Sequence, residues 1–195
     1  MNPALALPDT SPRRTRGRLQ LLLILAVVLG PMVLASAMYK LRFWVPEGRS
    51  YHGALIGNGQ TRADLGVQGA GEPALWQLLV TAPQACEADC QQLVYVARQI
   101  HIGLGREAER GSHAFAAAQP LSADYQQTLE REYPRLQRYT LDPAAYGKAV
   151  ESDVTGPQLW IVDPHGNLVL RYDAKIKGKQ ILNDLRHLMK LSNIG

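Results

Sequence analysis

The sequence predicts an α/β domain tethered behind one membrane-spanning helix. Three observations carry that expectation. From Trp76 onward, short apolar runs alternate with segments of helical period. Near the C-terminus, two apolar runs flank a cluster of turn residues. Near the N-terminus lies an uncharged run of the length a bilayer requires.

The apolar run is Leu19 to Tyr39, preceded by Arg13, Arg14, Arg16 and Arg18 and followed by Lys40 and Arg42. About 20 apolar residues span a bilayer as a helix. The heavier basic flank is expected on the cytoplasmic side, which puts the rest of the chain outside. Ala35-Ser36-Ala37 has the small residues of a signal-cleavage site, but the run outlasts an ordinary signal core, so a retained anchor is expected. The formal net charge is +4. Residues 1–18 hold four arginines and one aspartate, hence three of those charges. The basic balance is therefore a topology signal and gives no support for a nucleic-acid partner. The expected organisation is a basic cytoplasmic tail at 1–18, a transmembrane helix at 19–39, a linker at 40–74 and a folded domain at 75–195. Tyr39, Phe43 and Trp44 sit where a membrane interface would lie. The Gly-rich linker has room for one short hairpin around Asn58-Gly59.

The elements of the domain follow in order. "WQLLVTA", between Pro73 and Pro83, reads as a buried strand. Cys86, Cys90, Leu93, Ala97, Ile100 and Leu104 then recur at helical steps, ended by Gly103 and Gly105. "SHAFAAA" is a weak strand. Ser122 is an expected N-cap for a helix closed by Pro134. "LQRYTLD" is a further strand, and Pro143 opens a short helix. "PQLWIVDPHGNLVLRYDA" is a hairpin turning on Asp163, Pro164, His165 and Gly166. Ile181, Leu182, Leu185, Leu188 and Met189 share one face of a final amphipathic helix. Such alternation implies a mixed sheet with helices on its faces.

Cys86 and Cys90 are the chain's two cysteines, in "TAPQACEADCQQL" at a helix start. The orphan N–H groups and the dipole there favour a thiolate, while Glu87 and Asp89 oppose it. Three uses are open. A structural disulfide is allowed outside the cytoplasm, but so short a loop gains only roughly 2 kcal/mol, against almost 5 for a loop of about 100 residues. A dithiol–disulfide exchange site benefits from this strand-to-helix placement. Two thiolates also suit Cu(I), which prefers soft ligands and low coordination, with a histidine as the usual third ligand. His101 is about three turns from Cys90, too far to share a metal with it, and His165 reads as a solvated turn residue. No nucleotide site, hydrolytic triad or zinc site emerges from the spacing.

These residues resemble the Sco/SenC proteins: an anchored, exported chain, a strand leading to C-x-x-x-C at a helix start, and a late "WIVDPHGNLVLRY" hairpin. The resemblance covers roughly Trp76 to Leu191. It implies a thioredoxin-like fold, Cu(I) handling or thiol reduction, and service to the assembly of cytochrome c oxidase. Two features depart from the family pattern. "CEADCQ" lacks the motif prolines, and Thr155 stands near the position where the family carries its copper-binding histidine. Pro157, in "VTGPQLWIV", matches the proline that faces the active cysteines in thioredoxins, and a cis bond is expected there.

The resulting expectation is a single-pass protein of the bacterial inner membrane, with its N-terminus cytoplasmic and its C-terminal domain periplasmic. Cys86 attacks, Cys90 resolves and Pro157 adjoins them. Cu(I), if held, is held by Cys86 and Cys90. Partners are expected among respiratory oxidase subunits or assembly factors. The alternative is a non-catalytic, membrane-tethered binding module in which the cysteines form a local structural disulfide.

Overall fold

A computed structural model describes residues 14–41, 51–71 and 74–192. The chain divides into two units, residues 1–48 and 49–195. In the first, α1 (Arg14–Leu41) runs through Pro31. Its stretch Gly17–Met38 has a mean hydropathy of 2.6 and none of it is buried. At 1.5 Å per residue this stretch spans about 33 Å, close to the bilayer's hydrocarbon thickness. A helix that is apolar on every side and buried against nothing in its own unit is suited to lipid.

The second unit is one seven-stranded mixed sheet in the order β1-β7-β6-β3-β4-β5-β2. Its strands are β1 (Ala54–Leu55), β2 (Val67–Gln68), β3 (Trp76–Ala82), β4 (Gly111–Ala117), β5 (Gln137–Leu141), β6 (Gln158–Val162) and β7 (Leu168–Tyr172). The helices are α2 (Ala88–Gly103), α3 (Ala123–Glu132), α4 (Pro143–Ala149) and α5 (Gly178–Leu191), with a 3-10 turn at Gly105–Arg110. β3 lies at the centre, parallel to β4 and antiparallel to β6, and all seven of its residues are buried. That is why its sequence is a continuous apolar run instead of an alternating one.

Alternate side chains of the central strands feed two cores. Leu78, Val80, Phe115, Leu159 and Ile161 pack with Leu93, Val94 and Ile100 of α2 and Ile181 and Leu185 of α5. Leu79, Ala114, Ala116, Trp160 and Val162 pack on the opposite face with Tyr146 of α4. The helix starts follow local chemistry. Ser122 accepts from the Tyr125 N–H, as the sequence suggests. Asp142 accepts from Ala144 and Ala145, with Pro143 in the first turn. Asp163 holds the β6–β7 turn by accepting from the backbone N–H groups of His165 and Asn167 at 2.9 and 2.8 Å.

The segment expected to be a linker is different. Residues 51–71 supply both edge strands: Ala54 pairs with Arg171, and Val67 with Leu141. No hairpin forms at Asn58-Gly59, because the two short strands go to opposite edges of the sheet. Leu65 is completely buried. Gly66 reaches this path with φ +78, and a Cβ there would lie 2.9 Å from the Asp142 carbonyl oxygen. Arg62 is buried beneath the sheet and donates to Gln77 Oε1 at 3.0 Å. These contacts are all distant in sequence, so no local period announces them. The remainder of that linker, at 42–50 and 72–73, lies outside the described residues.

One ionisable side chain sits in the α2 face of the sheet without compensation. His113 of β4 is 3 % exposed and its ring centroid lies 4.9 Å from that of His101, the two rings tilted. Burial first, then the positive neighbours His101, Arg98 and Arg135, push its pKa down from 6.5 to about 4.

Two expectations follow from this packing. Leu65→Ala should lower the stability of the C-terminal unit by about 2–5 kcal/mol, read as a fall in its thermal midpoint, whereas truncation in a true linker would leave it unmoved. For His113, the unfolded chain takes up the proton near pH 6.5 and the folded one only near 4. Stability should therefore fall as pH drops through that window, by up to roughly 3 kcal/mol, and His113→Leu should flatten the slope in urea titrations.

Candidate functional site

The β3–α2 junction carries the cysteines. After Ala82 the chain leaves the sheet through Pro83 and reaches Cys86, which is half-buried. α2 begins at Ala88, so Cys86 lies just outside the helix and Cys90 in its first turn. The two form a disulfide with Cα atoms 5.1 Å apart, inside the relaxed range. An ideal helix would hold an i,i+4 pair wider than this. The extended backbone at the Glu87 N-cap (φ −92, ψ −163) folds Cys86 back over the helix end. Cys90 is 2 % exposed and belongs to the main core, with Cys86 packed against it.

Glu87 provides no side-chain cap. With no side-chain cap, the helix dipole at this end favours negative charge on a sulfur placed beside it. Gln91 Nε2 donates to the Cys86 carbonyl at 3.2 Å and holds the loop to the helix. Asp89, between the cysteines, is exposed.

Beside this segment is a cavity of about 570 Å³ whose lining includes Asp89, Thr155, Pro157, Tyr172, Lys175 and His52. Pro157 and Thr155 therefore share a cavity with the residue between the two cysteines, and the exposed His165 is not among its lining residues. The Pro157 peptide is trans, as are all peptide bonds among the described residues, so the expected cis bond is corrected. Gly156 makes the reversal before β6 instead, with φ +77. That conformation is open to glycine, so the chain turns here without a cis bond.

Behind His52 and Tyr172, which line this cavity, lies a carboxylate that sequence reasoning missed. Asp184 of α5 is 2 % exposed. It accepts from the His52 backbone N–H at 2.7 Å, from His52 Nδ1 at 2.8 Å and from the Tyr172 hydroxyl at 2.9 Å. Burial and the adjacent carboxylate push the Tyr172 hydroxyl far above the ordinary phenol range, so it stays a donor. A buried aspartate on the apolar face of α5 was the available signal; its partner lies 132 residues away.

No group of three or more His, Cys, Asp or Glu side chains poised for a metal occurs among the described residues. Both cysteine sulfurs are committed to each other. The donor set present thus fits at most a low-coordinate Cu(I) held by the reduced pair, without a third protein ligand.

A family model described as "Transmembrane-like, thioredoxin-like, C-terminal domain" matches residues 76–192, and one described as "Transmembrane-like, N-terminal domain" matches residues 12–42. No curated protein matches the sequence. Similar solved structures include the Arabidopsis thaliana ScoI with copper bound, at 10% identity over 62% of this chain and 88% of that one, with a TM-score of 0.48. The Bradyrhizobium japonicum ScoI with copper bound is similar at 16% identity, 60% and 86% coverage, and a TM-score of 0.43. The thioredoxin domain of a thiol-disulfide oxidoreductase from Bacteroides vulgatus follows at 11% identity, 60% and 80% coverage, and a TM-score of 0.43. The fold is thioredoxin-like, a mixed sheet flanked by helices.

Asp184→Ala should leave the Tyr172 hydroxyl buried without its acceptor. The expected cost is about 1–3 kcal/mol in urea unfolding. Tyr172→Phe combined with Asp184→Ala should cost less than the sum of the two single changes.

Proposed function

The chain belongs to the family of transmembrane-like, thioredoxin-like proteins, and from that premise we propose that it is a single-pass membrane protein whose C-terminal domain exchanges thiols and disulfides outside the cytoplasm. The observation that carries this reading is the asymmetry of the pair: a half-buried Cys86 ahead of α2, joined to a Cys90 sealed in the core. In the reduced domain, the Cys86 thiolate attacks a partner disulfide. One partner sulfur leaves as a thiolate and a mixed disulfide forms. Cys90, giving up its proton, attacks the Cys86 sulfur, closes the Cys86–Cys90 bond and releases the second partner thiolate. Two electrons pass to the partner, and a donor dithiol must return them by the reverse route. Pro157 forms part of the surface against which the partner strand lies. The four arginines at residues 13–18 support a cytoplasmic N-terminus, hence a domain on the periplasmic side of a bacterial inner membrane.

Partners in respiratory oxidase assembly are the proposal that the Sco resemblance supports. Cu(I) handling is the second reading, carried by two sulfurs close enough to bond once reduced. Thr155 in place of a histidine and the absence of a three-ligand group among the described residues weigh against it.

The two cysteine variants separate these readings. Cys86→Ser should reduce disulfide reduction by the purified full chain to the buffer rate. Cys90→Ser should accumulate mixed disulfides in cells, visible on non-reducing gels and lost with dithiothreitol. If neither variant alters exchange and the wild-type disulfide resists strong reductants, the bond is a local staple and the domain a tethered binding module. Cu(I) that withstands a soft chelator only when both cysteines are present would favour the copper reading.

A further inference from the structure

The second cavity of interest lies at the other end of α2, against the beginning of β4. It measures about 270 Å³ and is lined by Arg98, His101, Ile102, Ala108, His113, Tyr133, Pro134 and Arg135. This is near the small end of ligand cavities. Its distinguishing group is His113, which is 3 % exposed and has neither ring nitrogen hydrogen-bonded. A buried, unpaired polar group is costly, and native structures keep few of them. His101 cannot relieve it: its Nε2 already contacts the Ala108 carbonyl at 3.0 Å, and its ring meets that of His113 tilted by 41°.

The surroundings define what would. Arg98 rests over the Tyr133 ring at 5.1 Å, and Arg135 lines the same space. Neither arginine has a carboxylate partner among the described residues. Of the acidic side chains nearby, Glu109 lines the adjoining cavity with Arg135 and does not line this one, and Glu132, whose charge reaches Tyr133, is paired with Arg131. The cavity thus combines two uncompensated guanidinium groups, a buried imidazole N–H without an acceptor, and walls made of Ile102, Ala108, Pro134 and the Tyr133 ring.

We propose that this cavity binds a small organic carboxylate with an apolar body. One carboxylate oxygen accepts from the His113 ring N–H, the charge is shared with Arg98 and Arg135, and the body lies against Ile102, Pro134 and Tyr133. An inorganic anion would satisfy the charges but leave the apolar walls in contact with water. A neutral isostere would fill the walls but leave the arginines unmatched. The site is separate from the cysteines, since Cys90 and His101 lie eleven residues apart on α2, about 16 Å.

The test is a titration of the full chain in lipid nanodiscs, with ring-labelled histidine observed by NMR. Benzoate and hexanoate are the carboxylate probes, benzamide the neutral control and inorganic phosphate the anion control. Either carboxylate should shift the His113 ring signal saturably and raise its pKa above about 4. Benzamide and phosphate should bind at least about tenfold more weakly. Arg135→Gln, on an exposed position, should weaken carboxylate binding with an unchanged melting midpoint, and His113→Leu should abolish it. The proposal is overturned if neither carboxylate gives a saturable shift at His113, if phosphate or benzamide binds as tightly, or if Arg135→Gln binds normally.

Discussion

The C-terminal unit depends on β3 being buried along its whole length. Trp76–Ala82 is covered on both faces and flanked by β4 and β6. A slip by one residue would send Leu78 and Val80 to the face now filled by Leu79, so the register is held by two cores at once. Thr81, near the end of the strand, is completely buried and reinforces this with polar contacts. The Trp160 Nε1–H donates to its hydroxyl at 2.9 Å, and the Tyr146 hydroxyl lies 3.1 Å away. One residue after this pinned position the strand ends, and the chain turns through Pro83 toward Cys86. The place of the cysteines is therefore set by packing below them.

What the sequence disclosed follows the range of the interactions. β3, α2, the β6–β7 hairpin and α5 are built on local period and turn chemistry, and they were legible. So were the caps at Ser122 and the opening of α4 at Pro143, since each needs only its next few residues. Residues 51–71 were read as a linker because their partners, Arg171, Leu141 and Gln77, are reached only through the finished fold. The same holds for the site. Cys86, Cys90 and Pro157 stood out as residue types at informative spacings. His52 and Asp184 form a pair across 132 residues, and its one local mark is an aspartate on the apolar face of α5. Pro157 misled in one respect. Its match to the thioredoxin proline suggested a cis bond, but Gly156 supplies the needed turn.

The two ends of α2 present opposite chemistry on one rod. At the N-terminal end, a turn without a side-chain cap carries a disulfide that gains negative charge when opened. At the C-terminal end, positive groups gather. The helix dipole accounts for part of that gathering, because a cation near the last turn is favoured there by about 0.3–1 kcal/mol. It reaches His101, in the last turn of α2, and not Arg98, one turn earlier. It does not account for Arg135, on the α3–β5 connection, or for His113, on β4. Those two come from separate elements and converge on the same space, and His113 does so at the cost of an unpaired buried ring. Stability alone would favour an apolar residue at position 113, since Phe115 and Ala117 on the same strand face fill that role beside it. A buried polar ring without a partner, at the edge of a cavity, serves a ligand better than it serves the core.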